Sequence, residues 1–195
     1  MIITKIFTGE CSHEVPLAFS SHCALSNHGH SYKLEVRLQG YDLDNAGMLY
    51  DFGLMKLTIK DLVNSSDHCH LFWDKHNEEY KNFFKKYNDR WIETPFNTTA
   101  EQLSMFYFVF IQYILDHTIY SNGEGKDLKV HSVTYHETAT GSATCDIEDI
   151  KRLWKPEWFE QVKFSDGIIR EWSVELKRIM LNGETIVNPK SSAEV

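Results

Sequence analysis

Apolar and polar side chains alternate most regularly in residues 29–39, a pattern typical of a strand with one covered face. The alternating pairs are Tyr32, Leu34, Val36 and Leu38 against Lys33, Glu35, Arg37 and Gln39. Residues 2–9 are rich in β-branched and aromatic types and predict an earlier strand. Residues 10–27 contain Pro16 and several serines, which predicts a loop between the two strands.

Two stretches further along the chain have the apolar spacing of helices. Residues 54–64 predict the first helix. Thr98 and Glu101 have the spacing of a capping box, so a second helix is expected to begin there and to run to about Tyr120. Apolar residues occupy more than one face of this second helix, which predicts that it is covered on two sides, as subunit packing would do. Residues 78–91 fit either a short helix or an ordered loop.

Residues 128–137 predict a third strand, and residues 142–150 predict a fourth. The expected order is therefore strand, strand, helix, helix, strand, strand, which is an α+β domain in residues 1–150. Residues 151–195 are predicted to form a C-terminal extension of unknown role. Within it, Asn182-Gly183 predicts a small hairpin, and the final residues, 188–195, predict a frayed end.

Composition limits the classes of function. The chain has 195 residues and is 42% hydrophobic, enough for one well-packed domain. Its formal net charge of -8 argues against nucleic-acid binding, although a few local donors suffice to bind a small phosphorylated molecule. The longest apolar run, Met105 to Leu115, is too short to span a membrane, and no signal peptide is visible. Four cysteines without a CxxC pair predict reduced thiols, and we expect a cytoplasmic protein.

Ten histidines are unusual for this length, and two of them form a His-x-His pair that opens the second predicted strand. Because alternate strand residues point the same way, His28 and His30 are expected to share the covered face. Catalytic zinc sites commonly use three protein ligands and leave one position open. The third ligand must come from a neighbouring element, and on spacing alone His13 and His22 both remain candidates.

The stretch FTGECSHEVPLAFSSHCALSNHGHSYKLEV, residues 7–36, resembles the N-terminal signature of the 6-pyruvoyl-tetrahydropterin synthase / 6-carboxy-tetrahydropterin synthase family. That signature has a strand that ends in histidine, a loop that carries a cysteine, and then His-Gly-His. The resemblance favours His13 as the third zinc ligand, because a block ending at His22 would leave almost no loop for Cys23.

Four further blocks resemble the family in the right order, so the resemblance covers residues 2–146. They are Met48–Lys56, Asp67–Leu71, Thr98–Leu103 and Tyr135–Thr138. Three features depart from the pattern. The gap between Cys23 and His28 lies between the gaps of the two family branches, Thr98 replaces a proline, and residues 74–96 look like an insertion.

The resemblance implies a tunnelling fold, or T-fold, with a four-stranded antiparallel sheet, two helices on one face and the order ββααββ. It also implies a homo-oligomer, commonly a hexamer, with sites between chains. Zn²⁺ would be bound by His13, His28 and His30.

The resemblance also implies roles for individual side chains. Cys23 would act as general base, and Asp67 would orient His68, which would shuttle protons. Glu137 would accept two parallel N–H bonds from the pterin ring. Supporting contacts to the ring or between subunits are expected from Thr99 and Glu101.

The implied substrate is 7,8-dihydroneopterin triphosphate, and the favoured reaction is that of a lyase that forms 6-carboxy-5,6,7,8-tetrahydropterin for 7-deazaguanine and queuosine biosynthesis. One alternative is a 6-pyruvoyl-tetrahydropterin synthase that eliminates triphosphate from the same substrate. Another alternative, from a different class, is a non-catalytic zinc-binding scaffold. The position of Cys23 favours the carboxy-forming reaction and argues against a third family branch, an aldolase with glutamate at that position.

Overall fold

The computed structural model describes residues 1–123 and 127–189, which fold into a seven-stranded mixed sheet, a two-stranded sheet and a set of helices packed against them. The strands are β1 (Ile2–His13), β2 (His28–Gln39), β3 (Cys69–Trp73), β4 (Trp91–Thr94), β5 (Thr118–Ile119), β6 (Lys129–His136), β7 (Ser142–Asp146), β8 (Lys163–Phe164) and β9 (Ile186–Val187). The helices are α1 (Ser21–Ala24), α2 (Thr58–Asn64), α3 (Glu78–Tyr87), α4 (Ala100–Asp116), α5 (Ile147–Leu153), α6 (Trp158–Gln161), α7 (Asp166–Glu171) and α8 (Val174–Asn182), with a short 3-10 helix at Leu54–Lys56.

The main sheet has seven strands in the order β7-β6-β2-β1-β3-β4-β8, so the α+β class is confirmed. The predicted four-stranded antiparallel sheet is wrong as a description of the whole sheet. Its four strands form the antiparallel half β7-β6-β2-β1, and β3 continues from β1 in parallel. The order ββααββ is interrupted by β3, α3 and β4, which lie between α2 and α4. β3 is buried along almost its whole length and β4 has only four residues, so neither shows the alternation that marks a half-buried strand.

β1 is longer than predicted, because it continues through residues 10–13 of the expected loop. Its register against β2 runs from Ile2 opposite Gln39 to His13 opposite His28. The last three residues also pair with β3, so this end of β1 lies in the middle of the sheet. Hydrogen bonds on both sides make the extended conformation favourable there, and the ends of β1 and β2 are held side by side.

α4 begins at Ala100 and ends at Asp116, four residues before the predicted end. Its cap is Thr99, whose hydroxyl accepts a hydrogen bond from the Gln102 N–H at 3.4 Å. The predicted capping box is wrong, because the Thr98 hydroxyl donates instead to the Glu14 carbonyl at 3.5 Å. The helix is buried on two sides within one chain. β6 and β7 cover one side, and α5 and α8 pack on another.

The C-terminal residues contribute to the same core. β8 pairs with β4, and Ile168 of α7, Leu176 of α8 and Trp172 between the two helices join the main apolar cluster. The predicted hairpin is wrong, since Asn182 ends α8 and Gly183 adopts the left-handed conformation (φ 64°) that closes a helix. The strand prediction for residues 142–150 is too long, because β7 ends where Asp146 caps α5. The division at residue 150 stays a prediction.

Most of the predicted frayed end, residues 190–195, lies outside the described residues. The prediction is wrong for its first residue, because Asn188 is buried and donates to the Tyr50 hydroxyl at 3.2 Å. No helix within the described ranges combines the length and hydropathy needed to cross a bilayer.

Candidate functional site

Three histidines meet at the end of β1 and the start of β2. His13 and His28 are direct cross-strand partners, and His30 follows on the same face of β2. One nitrogen from each imidazole lies within 4.8 Å of the other two. The Nε2 atoms of His13 and His30 are 3.1 Å apart, and the ring centroids of His28 and His30 are 5.0 Å apart. His22, the other candidate for a third histidine, is exposed in α1 and is not part of this cluster.

Backbone carbonyls hold two of the three rings. The Nδ1–H of His13 donates to the Thr98 carbonyl at 2.8 Å, and the Nδ1–H of His28 donates to the Ser26 carbonyl at 2.9 Å. A donor proton on Nδ1 leaves the lone pair on Nε2, which is the arrangement that metal-binding histidines share. Sequence reasoning missed both contacts, because a backbone carbonyl leaves no signature in the sequence.

The cluster is electrically suited to a cation. Burial, reinforced by the neighbouring His28 and His30, lowers the pKa of His13 to about 4. Burial also lowers the pKa of His30, an effect that Glu137 opposes and His28 reinforces. At neutral pH both rings are therefore neutral, and a neutral imidazole is the form that binds a metal.

A metal ion fits the donor set. Tetrahedral zinc with metal–nitrogen bonds of about 2.0–2.1 Å places its ligand nitrogens about 3.3 Å apart. The 3.1 Å separation of the His13 and His30 Nε2 atoms is close to that value. The three histidines could hold a metal ion and leave a position open, although their role as ligands stays a prediction.

Glu137 follows directly after β6 and faces the cluster. One of its carboxylate oxygens, Oε1, lies 3.6 Å from the His13 Nε2 and 3.8 Å from the His30 Nε2. Its side chain is 29% exposed, so the carboxylate lies between the histidines and solvent. A ligand that binds Glu137 would therefore lie beside the cluster.

Cys23 lies in α1, within the segment that joins the two histidine-bearing strands. Its carbonyl accepts a hydrogen bond from the Val15 N–H at 2.8 Å, which folds this segment back towards the end of β1. The cysteine is half-buried and not disulfide-bonded. No hydrogen bond joins its thiol to the three histidines in the part of the chain that is described.

Asp67 and His68 form a hydrogen-bonded pair on the turn before β3. The Asp67 Oδ2 lies 3.2 Å from the His68 Nδ1, while its Oδ1 accepts the Glu10 N–H at 2.8 Å. Burial raises the pKa of the Asp67 carboxyl, but the bond from Glu10 and the contact with His68 outweigh it, so this pKa lies below its usual value. The His68 side chain is 76% exposed.

Within one chain, the Asp67–His68 pair and the histidine cluster are separate. The pair is hydrogen-bonded to β1 at Glu10. His13 follows Glu10 by three strand residues, which places the two residues about 10 Å apart. No contact between the pair and the cluster is present in residues 1–123 and 127–189.

Arg90 holds the turn that carries Asp67 and His68, a role that no sequence pattern indicated. Its Nε donates to the Asp67 carbonyl at 3.0 Å, and its Nη2 donates to the Asn64 carbonyl at 2.6 Å. His68 has a left-handed backbone (φ 50°), which costs a non-glycine residue on the order of 1 kcal/mol. Arg90 therefore fixes a strained turn next to a candidate proton-transfer group.

The start of α4 places the two predicted supporting residues differently. Thr99 is half-buried and its hydroxyl is used as the helix cap. Glu101 is exposed, and its carbonyl accepts a hydrogen bond from Ser104 at 2.8 Å. The link from this helix start to the cluster is the carbonyl of Thr98.

Proteins with similar sequences are named as pterin synthases. A 6-carboxy-5,6,7,8-tetrahydropterin synthase of Helicobacter pylori strain J99 is 36% identical over 174 residues, which are 88% of this chain and 86% of that protein. A protein of the same name from Aquifex aeolicus is 34% identical over 119 residues, which are 60% of this chain and 71% of that protein.

Two solved structures are similar in fold at 15% identity. One is an uncharacterized protein from Wolinella succinogenes, with a TM-score of 0.56 over 75% of this chain and 98% of that one. The other is a 6-pyruvoyl tetrahydropterin synthase from Plasmodium vivax, with a TM-score of 0.52 over 74% of this chain and 97% of that one.

The profile of the family described as 6-pyruvoyl tetrahydropterin synthase matches residues 2–148, which include the histidine cluster, the Asp67–His68 pair and Glu137. Together with the relatives that match over most of their length, this match decides the assignment. The chain belongs to the 6-pyruvoyl tetrahydropterin synthase family and is a lyase.

Proposed function

We propose that this lyase is zinc-dependent and converts 7,8-dihydroneopterin triphosphate to 6-carboxy-5,6,7,8-tetrahydropterin, a reaction of 7-deazaguanine and queuosine biosynthesis. The observation that carries the proposal is the convergence of three histidines in a chain whose relatives are named for this product. His13, His28 and His30 hold the zinc ion. When bound, the metal supplies Lewis-acid polarisation to the oxygen atoms of the substrate side chain.

Two side chains of the protein move protons in this proposal, and a third, Asp67, positions one of them. Cys23 removes a proton from the substrate side chain as general base. Asp67 remains ionised because its pKa is low, so it accepts the Nδ1–H of His68 and fixes that tautomer. The Nε2 of His68 is then free to take up and return a proton, and its exposure leaves it accessible to the substrate.

Glu137 orients the pterin ring. Its carboxylate accepts two parallel N–H bonds from the edge of the ring, the geometry in which carboxylates bind guanidinium groups. Because the carboxylate lies within 4 Å of two cluster histidines, this contact places the ring beside the metal-binding position. Thr99 and Glu101 support the ring or a neighbouring subunit from the start of α4.

The active enzyme is a homo-oligomer, with a hexamer as the proposed state. Its active site combines the histidine cluster of one chain with the Asp67–His68 pair of another. The separation of about 10 Å along β1 within one chain supports this arrangement, since a single substrate side chain must reach both groups.

Metal content and product analysis test the proposal together. The wild type should bind about one zinc ion per chain by elemental analysis. His13→Ala should lose the metal, and His22→Ala, the matched control, should retain it. Wild-type enzyme with zinc and 7,8-dihydroneopterin triphosphate should yield the 6-carboxy product on chromatography.

Three results would contradict parts of the proposal. Zinc loss from His22→Ala, but not from His13→Ala, would overturn the ligand set. A pyruvoyl product alone would overturn the reaction. Cys23→Ala with zinc retained and full turnover would remove the thiol from the mechanism.

A further inference from the structure

A cleft of about 670 Å³ opens beside the Asp67–His68 pair, and the roles proposed above assign no part of the substrate to it. It is lined by residues 5–8 of β1, by Lys56 of the 3-10 helix and by Lys60 and Asn64 of α2. Its charged lining includes Lys5, Lys56, Lys60 and Arg90 together with Asp67 and His68. The pair therefore lines the same cleft as four cationic side chains.

The protein neutralises only part of the positive charge of this cleft, as far as the described residues show. Arg90 forms an ion pair with Glu171, the second carboxylate of the cleft lining besides Asp67. Lys5, Lys56 and Lys60 form no ion pair in the described ranges. Three unpaired ammonium groups are a notable concentration in a chain whose formal net charge is -8. Such a local field favours a multiply charged anion.

The backbone of β1 adds donors to the same cleft. The Glu10 N–H and carbonyl both point away from β2, towards Asp67 and His68. In an antiparallel ladder alternate residues point the same way, so the N–H groups of Thr8 and Ile6 also face away from β2. β3 pairs with β1 only at residues 11–13, so these amides face the cleft without a neighbouring strand. Backbone amides beside lysines are typical of sites that bind phosphate.

We propose that this cleft binds the triphosphate group of the substrate through Lys5, Lys56 and Lys60. The identity of the substrate rests on the proposed function. In the proposed reaction, His68 acts on a short carbon side chain that carries the triphosphate at its end. A triphosphate must then lie a few bonds from His68, where the lysines are. The cleft and the pair belong to one chain, so this holds whichever chain supplies the histidine cluster.

Tripolyphosphate is the probe for the cleft, and titration calorimetry on the zinc-loaded enzyme is the measurement. Lys56→Gln and Lys60→Gln should each weaken tripolyphosphate binding about tenfold, the value of one charge-assisted contact. Both variants should raise KM for the triphosphate substrate by a similar factor and leave kcat within about twofold. Lys129→Gln is the matched control, because Lys129 is exposed at the start of β6 and does not line the cleft.

Two outcomes would overturn the proposal. One is equal tripolyphosphate affinity in Lys60→Gln and Lys129→Gln. The other is a smaller oligomer in the lysine variants, measured by light scattering, with unchanged tripolyphosphate affinity, since the lysines would then serve an interface. Failure of the proposed function is distinguishable from both. In that case the wild type forms no pterin product, yet binds tripolyphosphate in a lysine-dependent manner, which would still support an anion-binding cleft.

Discussion

Arg90→Lys tests how the turn that carries Asp67 and His68 is held. The guanidinium donates to the Asp67 and Asn64 carbonyls from two different nitrogens, and a lysine ammonium cannot reach both in one geometry. Losing one or two such bonds costs about 1.5–3 kcal/mol in total. Because the Arg90 side chain is 18% exposed, water replaces part of the loss, and we expect the free energy of unfolding to fall by about 2 kcal/mol.

The same substitution should lower kcat. The left-handed conformation of His68 is strained, so the turn relaxes when its clamp is weakened and the imidazole moves from its working position. Lysine keeps the positive charge of the cleft, so KM for the triphosphate substrate should change little.

Urea unfolding and steady-state kinetics measure the two effects. Arg152→Lys is the matched control, because the Arg152 side chain is 70% exposed and, among the described residues, forms its one ion pair with Asp149 in α5. Its loss should stay below about 0.5 kcal/mol. If Arg90→Lys and Arg152→Lys have the same stability and the same kcat, the role assigned to Arg90 is refuted.

Three further substitutions test single contacts. Thr99→Ala removes the bond to the Gln102 N–H and should cost about 1 kcal/mol in urea unfolding; unchanged stability would argue against this cap. Burial lowers the pKa of His70 to about 3. As the pH falls below about 6.5, His70 is therefore protonated in the unfolded chain while it stays neutral in the folded one, which favours unfolding. His70→Gln should therefore reduce the loss of stability on acidification by about 1.4 kcal/mol per pH unit between pH 6 and 5, and an unchanged slope would contradict the assignment. Gly167→Ala would place a Cβ 2.2 Å from the Asp89 carbonyl oxygen and should cost about 2–3 kcal/mol, so a wild-type melting temperature would show that α7 can shift freely.

Sequence patterns predicted the antiparallel half of the sheet well, for a physical reason. β2 is covered on one face, so Tyr32, Leu34 and Val36 alternate with polar residues and the period is visible. β3 lacks that alternation because it is buried along most of its length. The predicted hairpin at Asn182-Gly183 failed because the same dipeptide serves equally well to end a helix.

The positions of the candidate site followed from strand geometry only in part. The His-x-His spacing placed His28 and His30 on one face, and the length of β1 brought His13 opposite them. The hydrogen bond of His13 to the Thr98 carbonyl and that of Arg90 to the Asp67 carbonyl could not be predicted from the sequence. Each joins residues distant in sequence that only the folded chain brings together.

Residues that pack on α4 are synthesised after it, which affects the nascent chain. Phe110 of α4 packs against Phe159 with ring centroids 4.5 Å apart, and Leu176 of α8 belongs to the same core. A ribosome adds about 5–20 residues per second, so α4 is complete roughly 2–12 s before Phe159 and Leu176 have been made. During that interval the nascent chain presents an aromatic surface to chaperones, and ribosome-bound chains that stop near residue 150 should bind them longest.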